Sequence, residues 1–133
     1  MANTTFTGPV RSQNGFQSVT VSSTTGAVTV NSSFGKDVVL STQSLSGAGA
    51  VNVTDAFTSL TTTGASQALT LANGSFGEVK IIVHAVDGGS AILTPTTKIG
   101  FSTITFTAVG DAVTLIYTSA GWAVIGSKGV TIA

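Results

Sequence analysis

Residues 73–126 read NGSFGEVKIIVHAVDGGSAILTPTTKIGFSTITFTAVGDAVTLIYTSAGWAVIG. The segment holds the longest apolar runs of the chain together with its only Trp, Tyr and His. Apolar residues recur here with a period of two, which is the spacing of strands and not of helices. Over Glu78–Val86, residues Val79, Ile81, Val83 and Ala85 share one face, and Lys80, Ile82, His84 and Val86 share the other. Both faces carry large apolar side chains, so the strand asks for cover on both sides. Asp87-Gly88-Gly89 is a hairpin signal, which makes Ser90–Thr94 the return strand and Pro95 the end of its ladder. Ile104 and Phe106 alternate with threonines. Val113, Leu115 and Tyr117 then lead through Ser119-Ala120-Gly121 into a hairpin with Trp122 and Val124, and Val130–Ile132 form a last strand.

The same pattern extends toward the N-terminus. Val51 and Val53 alternate, Phe57 and Leu60 sit among threonines, and Leu69 and Leu71 alternate again before the glycine-rich loop Ala72–Gly77, whose Phe76 is expected to cover the end of the core. Residues 17–41 read as three short strands around Val19 and Val21, Val28 and Val30, and Val38–Leu40. Residues 1–16, MANTTFTGPVRSQNGF, are broken by Gly8-Pro9 and Asn14-Gly15 and read as an extended arm. Phe6, Pro9, Val10, Arg11 and Phe16 are its candidate contacts to a neighbouring subunit or another protein.

About a dozen strands, with turn signals every eight to twelve residues and no sustained helical stripe, predict an all-β fold. The expectation is one compact β-sandwich, jelly-roll-like or barrel-like domain over residues 17–133, preceded by the arm. A β-solenoid or β-prism is the alternative, because Thr-X-Thr and Val-X-Val units recur; the glycine spacing drifts, however, and no fixed rung length is found.

Composition narrows the function classes. Only 8% of the 133 residues are charged and the formal net charge is zero. The basic residues are Arg11, Lys36, Lys80, Lys98 and Lys128, scattered along the chain, which excludes a basic face for nucleic acid. So little charge also leaves little repulsion between copies, which favours self-association. Without cysteine there is neither a disulfide framework nor a thiolate metal site. No stretch near 20 apolar residues is present, and residues 1–9 lack the basic and apolar regions of a signal peptide, so no membrane contact is expected.

Catalytic chemistry finds little purchase. His84 lies on a hydrophobic strand, where a packed imidazole is the simpler reading than a general base. Asp87 and Asp111 begin turns, where Asp bonds local backbone. The five carboxylates, Asp37, Asp55, Glu78, Asp87 and Asp111, are too dispersed for a calcium loop, and Gly88-Gly89 opens no helix for a phosphate. No cofactor, metal or catalytic residue is therefore expected. Tyr117 and Trp122 remain as a recognition surface for sugar stacking, set against their simpler role as core and hairpin residues. Flat threonine arrays bind ice on regular solenoids, and the missing period argues against that role here.

Three pieces stand out beyond this chemistry: ALTLANGSFGEVKII, GGSAILTP and FSTITFTAVGDAVTLIYTSAGWAVIG, all within Ala68–Gly126. Together they resemble a sequence type found in virion structural proteins of tailed bacteriophages, and the opening FTGPVRSQNGF resembles the start of small capsid-associated phage proteins. The main block spans a little under half of the chain. The resemblance implies a non-enzymatic capsid decoration (cement) protein. It would be all-β and homotrimeric, made in the host cytoplasm and placed on the capsid exterior against the major capsid protein. The same sequence type occurs in tail fibres and spikes, so a receptor-binding module that contacts host glycan or protein is the alternative.

Overall fold

A computed structural model describes residues 16–34 and 39–133, without the side chains of 16–18 and 30–34. Phe6, Pro9, Val10 and Arg11 lie outside the described residues, as does Val38. The chain divides into two compact units, Met1–Val39 and Leu40–Ala133.

The described part of the first unit is a hairpin. Strands β1 (Phe16–Val21) and β2 (Val28–Phe34) pair antiparallel, with Val19 opposite Val30 and Val21 opposite Val28. The turn closes where Gly26, at φ 70°, donates its N–H to the Ser22 carbonyl and the Ser22 N–H bonds the Ala27 carbonyl. Phe16, expected as an arm residue, is the first residue of β1 and pairs with Phe34.

The second unit holds the other ten strands: β3 (Thr42–Ser46), β4 (Gly49–Val51), β5 (Phe57–Thr61), β6 (Gln67–Leu71), β7 (Val79–Val86), β8 (Ala91–Pro95), β9 (Ile104–Phe106), β10 (Ala112–Thr118), β11 (Gly121–Lys128) and β12 (Thr131–Ile132). They form two five-stranded sheets, ordered β11-β10-β7-β5-β3 and β12-β9-β8-β6-β4. Leu60, Ile82, Val113, Leu115 and Trp122 from the first sheet meet Val51, Leu69, Leu71, Leu93, Ile104 and Phe106 from the second, all fully enclosed. The fold is thus an all-β sandwich with open edges, not a closed barrel.

The route of the chain differs from the expected run of hairpins. Strands β3, β5 and β7 pair in parallel in one sheet, while β4, β6 and β8 pair in parallel in the other. The chain therefore alternates between sheets and winds through three successive rungs, like a short solenoid. The rungs are unequal: Thr42 pairs with Phe57 and Gly49 with Leu69, whereas the next step runs from Phe57 to Ile81 and from Gln67 to Ala91. A coil with a lengthening rung leaves no fixed period in the sequence. After β8 the chain changes habit, and β9, β10, β11 and β12 close both sheets with antiparallel pairs. The hairpin expected at Ser119-Ala120-Gly121 joins β10 to β11, where Tyr117 pairs with Trp122.

Asp87-Gly88-Gly89 is not a hairpin turn: β7 and β8 lie in opposite sheets, and these residues form the corner between them. The glycines serve close stacking. A Cβ on Gly88 would run into the Thr62 carbonyl, and one on Gly89, at φ 142°, into the backbone of Gly64 and Ala65. Hydrogen bonds lock the same corner: Thr62 N–H to Val86 O at 2.9 Å, Gly88 N–H to Thr62 Oγ1 at 2.8 Å, and Gln67 N–H to Ser90 O at 2.9 Å.

Strand β7 also resolves its own two-faced pattern. Lys80, Ile82 and His84 point into the core and are fully buried. Val79, Ile81, Val83 and Ala85 take the outer face, with Ile81 and Val83 half-buried and Val79 39% exposed. Phe76 does not cover the core; at 82% exposure it projects from its loop.

The corner stacking yields a test. Gly88→Ala should cost about 1–3 kcal/mol through backbone overlap, read as a lower urea midpoint. Gly126→Ala has nothing within 4 Å of the added methyl and should stay within about 0.5 kcal/mol of the parent.

Candidate functional site

Strand parity places His84 and Thr62 side by side. Leu60 of β5 pairs with His84 of β7, and the corner after β5 brings Thr62 Oγ1 to 3.0 Å from His84 Nε2. A hydroxyl beside an imidazole is the geometry of a nucleophile and its base, yet this pair is fully committed. Thr62 Oγ1 has one proton, and Gly89 O lies 2.8 Å away to accept it. The Gly88 N–H donates to the same oxygen at 2.8 Å. His84 Nε2 must then carry the proton it shares with Thr62, which leaves Nδ1 as a bare acceptor. Nδ1 is buried and has no hydrogen-bond partner among the described residues. Among the described residues no group orients the ring as a triad would require; Phe106 packs edge-on against it at 6.4 Å. With Thr62 2% and His84 0% exposed, no substrate reaches the pair. The pair ties β5 to β7 and to the Gly88 corner.

Asp111 works in the same structural manner. Its Oδ2 accepts the N–H groups of Thr107 at 2.8 Å and Ala108 at 3.0 Å and closes the turn before β10. The Thr107 N–H, followed by that of Ala108 and the Thr107 hydroxyl, holds the carboxyl below its ordinary range against the opposing effect of burial. Asp87 Oδ1 accepts the Gly89 N–H at 2.8 Å, a local turn bond. Both turn aspartates thus bond local backbone as their positions predict.

Lys80 is the more unusual group. Its ammonium donates to the Asp55 carbonyl oxygen, and its side chain is fully enclosed. Burial pushes its pKa down from the ordinary lysine value, while the negative charges of Asp55 and Glu78 pull it back up. Glu78 accepts the Ser75 N–H at 2.7 Å through Oε2, and its Oε1 is buried without a partner among the described residues. Among the described residues no group of three His, Cys, Asp or Glu side chains converges as a metal site.

Trp122 and Tyr117 sit together, as the hairpin register requires, with ring centroids 5.1 Å apart at 72°. Trp122 is fully enclosed, its indole N–H donates to Ala72 O at 2.8 Å, and its ring lies against Gly74. Neither face of the indole is free for a sugar ring, so Trp122 acts as a core anchor in this arrangement.

What remains accessible is apolar surface of two kinds. The outer face of the β11-β10-β7-β5-β3 sheet carries Phe57 beside Ile81 and Val79 beside Ile116, with Val83 next along β7. The sequence pattern showed that β7 is apolar on both faces; which face turns outward depends on Lys80 and His84 finding partners inside. The second feature is a shallow groove of about 310 Å³ lined by Ile99, Gly100, Phe101, Ala123, Val124 and Ile132, beside the edge strands β11 and β12. The opposite sheet differs: Thr70 pairs with Thr94 and Thr105 with Thr131, but Ile92 interrupts the threonine array, which is not the regular surface that ice binding needs.

In comparisons with known proteins, the chain matches no family and no curated sequence.

Two measurements check this account. Trp122→Ala should cost roughly 3–5 kcal/mol of stability, as loss of a core aromatic does. The pH dependence has two limbs. Asp111 has its folded value below 3.8, so its contribution is complete above that pH and is lost as pH falls through the lowered value. Asp111→Asn should flatten this acid limb. Lys80 has its folded value below 10.5, so over that interval the unfolded chain binds more protons and stability rises with pH. Lys80→Met should lack that alkaline rise in urea unfolding.

Proposed function

We propose that the chain is a non-enzymatic virion structural protein, a capsid decoration (cement) protein that binds the outer surface of a phage head as a homotrimer and stabilises the shell. The observation that carries the reading is the outer face of the β7 sheet, where half-buried Phe57, Ile81, Val83 and Ile116 and exposed Val79 form an uncharged, largely apolar patch interrupted by Ser59 and Thr114. Such a face suits a broad protein surface and not a small polar ligand. The resemblance of Ala68–Gly126 to phage virion proteins supplies the setting, and the near absence of charge agrees with a life packed against other protein.

The mechanism is mass action. A protein that binds the assembled shell and not its separated subunits stabilises the assembled state by its binding free energy at each site. A standard interface buries about 1,600 Å², and many repeated copies multiply a modest gain across the capsid. A rigid sandwich suits this work, because little ordering is left to oppose binding.

A second reading, a tail-fibre or spike module that contacts host glycan or protein, is favoured by one observation: the rung-on-rung winding of β3 to β8 is a plan that repeats into shafts. Quantitative mass spectrometry of purified particles separates the two. Decoration requires hundreds of copies, retained on tailless heads. About a dozen copies, lost with the tail, would overturn it in favour of the fibre or spike.

A further inference from the structure

Asn73-Gly74 lies in the loop between β6 and β7, and this loop leaves free the very atoms that can react with each other. Asn73 is exposed. Among the described residues neither its side-chain amide nor the Gly74 N–H has a hydrogen-bond partner. The neighbours on either side are held. Ala72 O accepts the Trp122 indole N–H at 2.8 Å, the Ser75 N–H donates to Glu78 Oε2 at 2.7 Å, and the Glu78 N–H donates to Ser75 O at 2.9 Å. Gly74 has no Cβ to shield its main-chain nitrogen. It has no room for one either, since a Cβ would lie 2.8 Å from Trp122 Cζ2 and 2.9 Å from Glu78 Oε2.

Asn52 supplies the contrast. Its Nδ2 donates to Asp55 Oδ2 at 2.8 Å and its Oδ1 accepts the Asp55 N–H at 3.0 Å, so both ends of the amide are engaged. The next residue is Val53, whose branched side chain crowds the following main-chain nitrogen. At Asn73 neither restraint is present, and the amide is free to turn onto its own backbone.

The chemistry is intramolecular and gains from proximity. The Gly74 nitrogen gives its proton to solvent base, and its electron pair forms a bond to Asn73 Cγ. The Cγ–Nδ2 bond breaks, and Nδ2 takes up a proton and leaves as ammonia. The product is a five-membered succinimide. Water then adds to one of the two ring carbonyls. Opening at Cγ gives an aspartate at position 73. Opening at the original main-chain carbonyl gives an isoaspartate, whose backbone runs through Cβ and Cγ and is longer by one methylene. Water and hydroxide are the only other reactants.

We propose that Asn73-Gly74 is a site of spontaneous covalent modification in the folded protein, deamidating through a succinimide to aspartate and isoaspartate, and that the products loosen the loop over Trp122. The loosening follows from the held flanks. An added methylene must be taken up between Ala72, which holds Trp122, and Ser75, which holds Glu78. Either product also brings a negative charge into a loop that already contains Glu78, whose Oε1 is buried without a partner among the described residues. The proposal is independent of any role on a capsid, and its test uses the purified full chain.

The native protein is held in mildly alkaline buffer, sampled over days and digested with trypsin. Cleavage after Arg11, Lys36 and Lys80 places the other Asn-Gly pair, Asn14-Gly15, in the peptide 12–36, apart from the peptide 37–80 that carries Asn52 and Asn73. Fragmentation of peptide 37–80 should show acid in place of amide at Asn73 accumulating at least tenfold faster than at Asn52. Two products of equal mass should appear, one of them a substrate for isoaspartyl methyltransferase. Mildly acidic buffer should suppress both, because the attacking nitrogen must lose its proton. Followed by Trp122 fluorescence, the aged parent should unfold at a lower urea midpoint. Asn73→Gln removes an amide that makes no hydrogen bond and can close only a slower six-membered ring, so it should fold as the parent does and keep its midpoint on ageing. An Asn73 that reacts no faster than Asn52, or reacts only after unfolding in urea, overturns the proposal. A modified chain with the midpoint of fresh protein overturns the loosening.

Discussion

The close stacking of corners holds the ten-stranded unit in its winding. Adjacent strands in a sheet must lie about 4.8 Å apart, and in a parallel coil that spacing applies to the corners between the sheets as well. The corner at Gly88–Gly89 rests on Thr62–Ala65 so closely that no side chain fits at either glycine. Backbone polar groups in such a tight corner need partners, and the Thr62 hydroxyl supplies several at once. It accepts from Gly88 N–H and from the His84 ring and donates to Gly89 O. One hydroxyl thereby joins β5, β7 and the corner leading to β8, and the only imidazole of the chain serves this junction.

From that junction follows the orientation of β7, and from it the character of the surface. Once His84 turns inward to meet Thr62, strand parity carries Lys80 and Ile82 inward with it. Burying an ammonium is unfavourable unless it is bonded; Lys80 finds the Asp55 carbonyl at the corner before β5, with the charges of Asp55 and Glu78 in support. The all-apolar face of Val79, Ile81, Val83 and Ala85 is left on the outside. A small sandwich thus encloses a lysine side chain in its core and displays aliphatic side chains on a sheet, the reverse of the usual distribution.

Much of the architecture was legible from local pattern. Period-two alternation marked the strands from Leu69 onward, and Ser119-Ala120-Gly121 marked the β10–β11 turn, because those signals depend on residues adjacent in sequence; the alternation of Val51 and Val53 misled, since β4 ends at Val51 and leaves Val53 outside it. The turn roles of Asp87 and Asp111 were legible for the same reason. The candidate sites were legible only in part. Trp122 could be placed on a hairpin, but its enclosure depends on Ala72 and Gly74, far away along the chain. Phe76 lies in a loop whose side chain points to solvent, which composition does not reveal.

By itself, the sequence determined that this protein is all-β, where most of its strands run, and that charge plays almost no part in its surface. Tertiary structure alone decided how the strands connect. A glycine pair after Asp87 is locally compatible with a hairpin and with a corner, and only the backbone of Thr62–Ala65 beneath it selects the corner. Likewise, β7 is apolar on both faces, so hydrophobicity could not choose which one turns inward; hydrogen-bond partners at Thr62 and Asp55 chose it. Each decision turned on residues brought together from separate rungs of unequal length, and contacts of that kind leave no period to read along the chain.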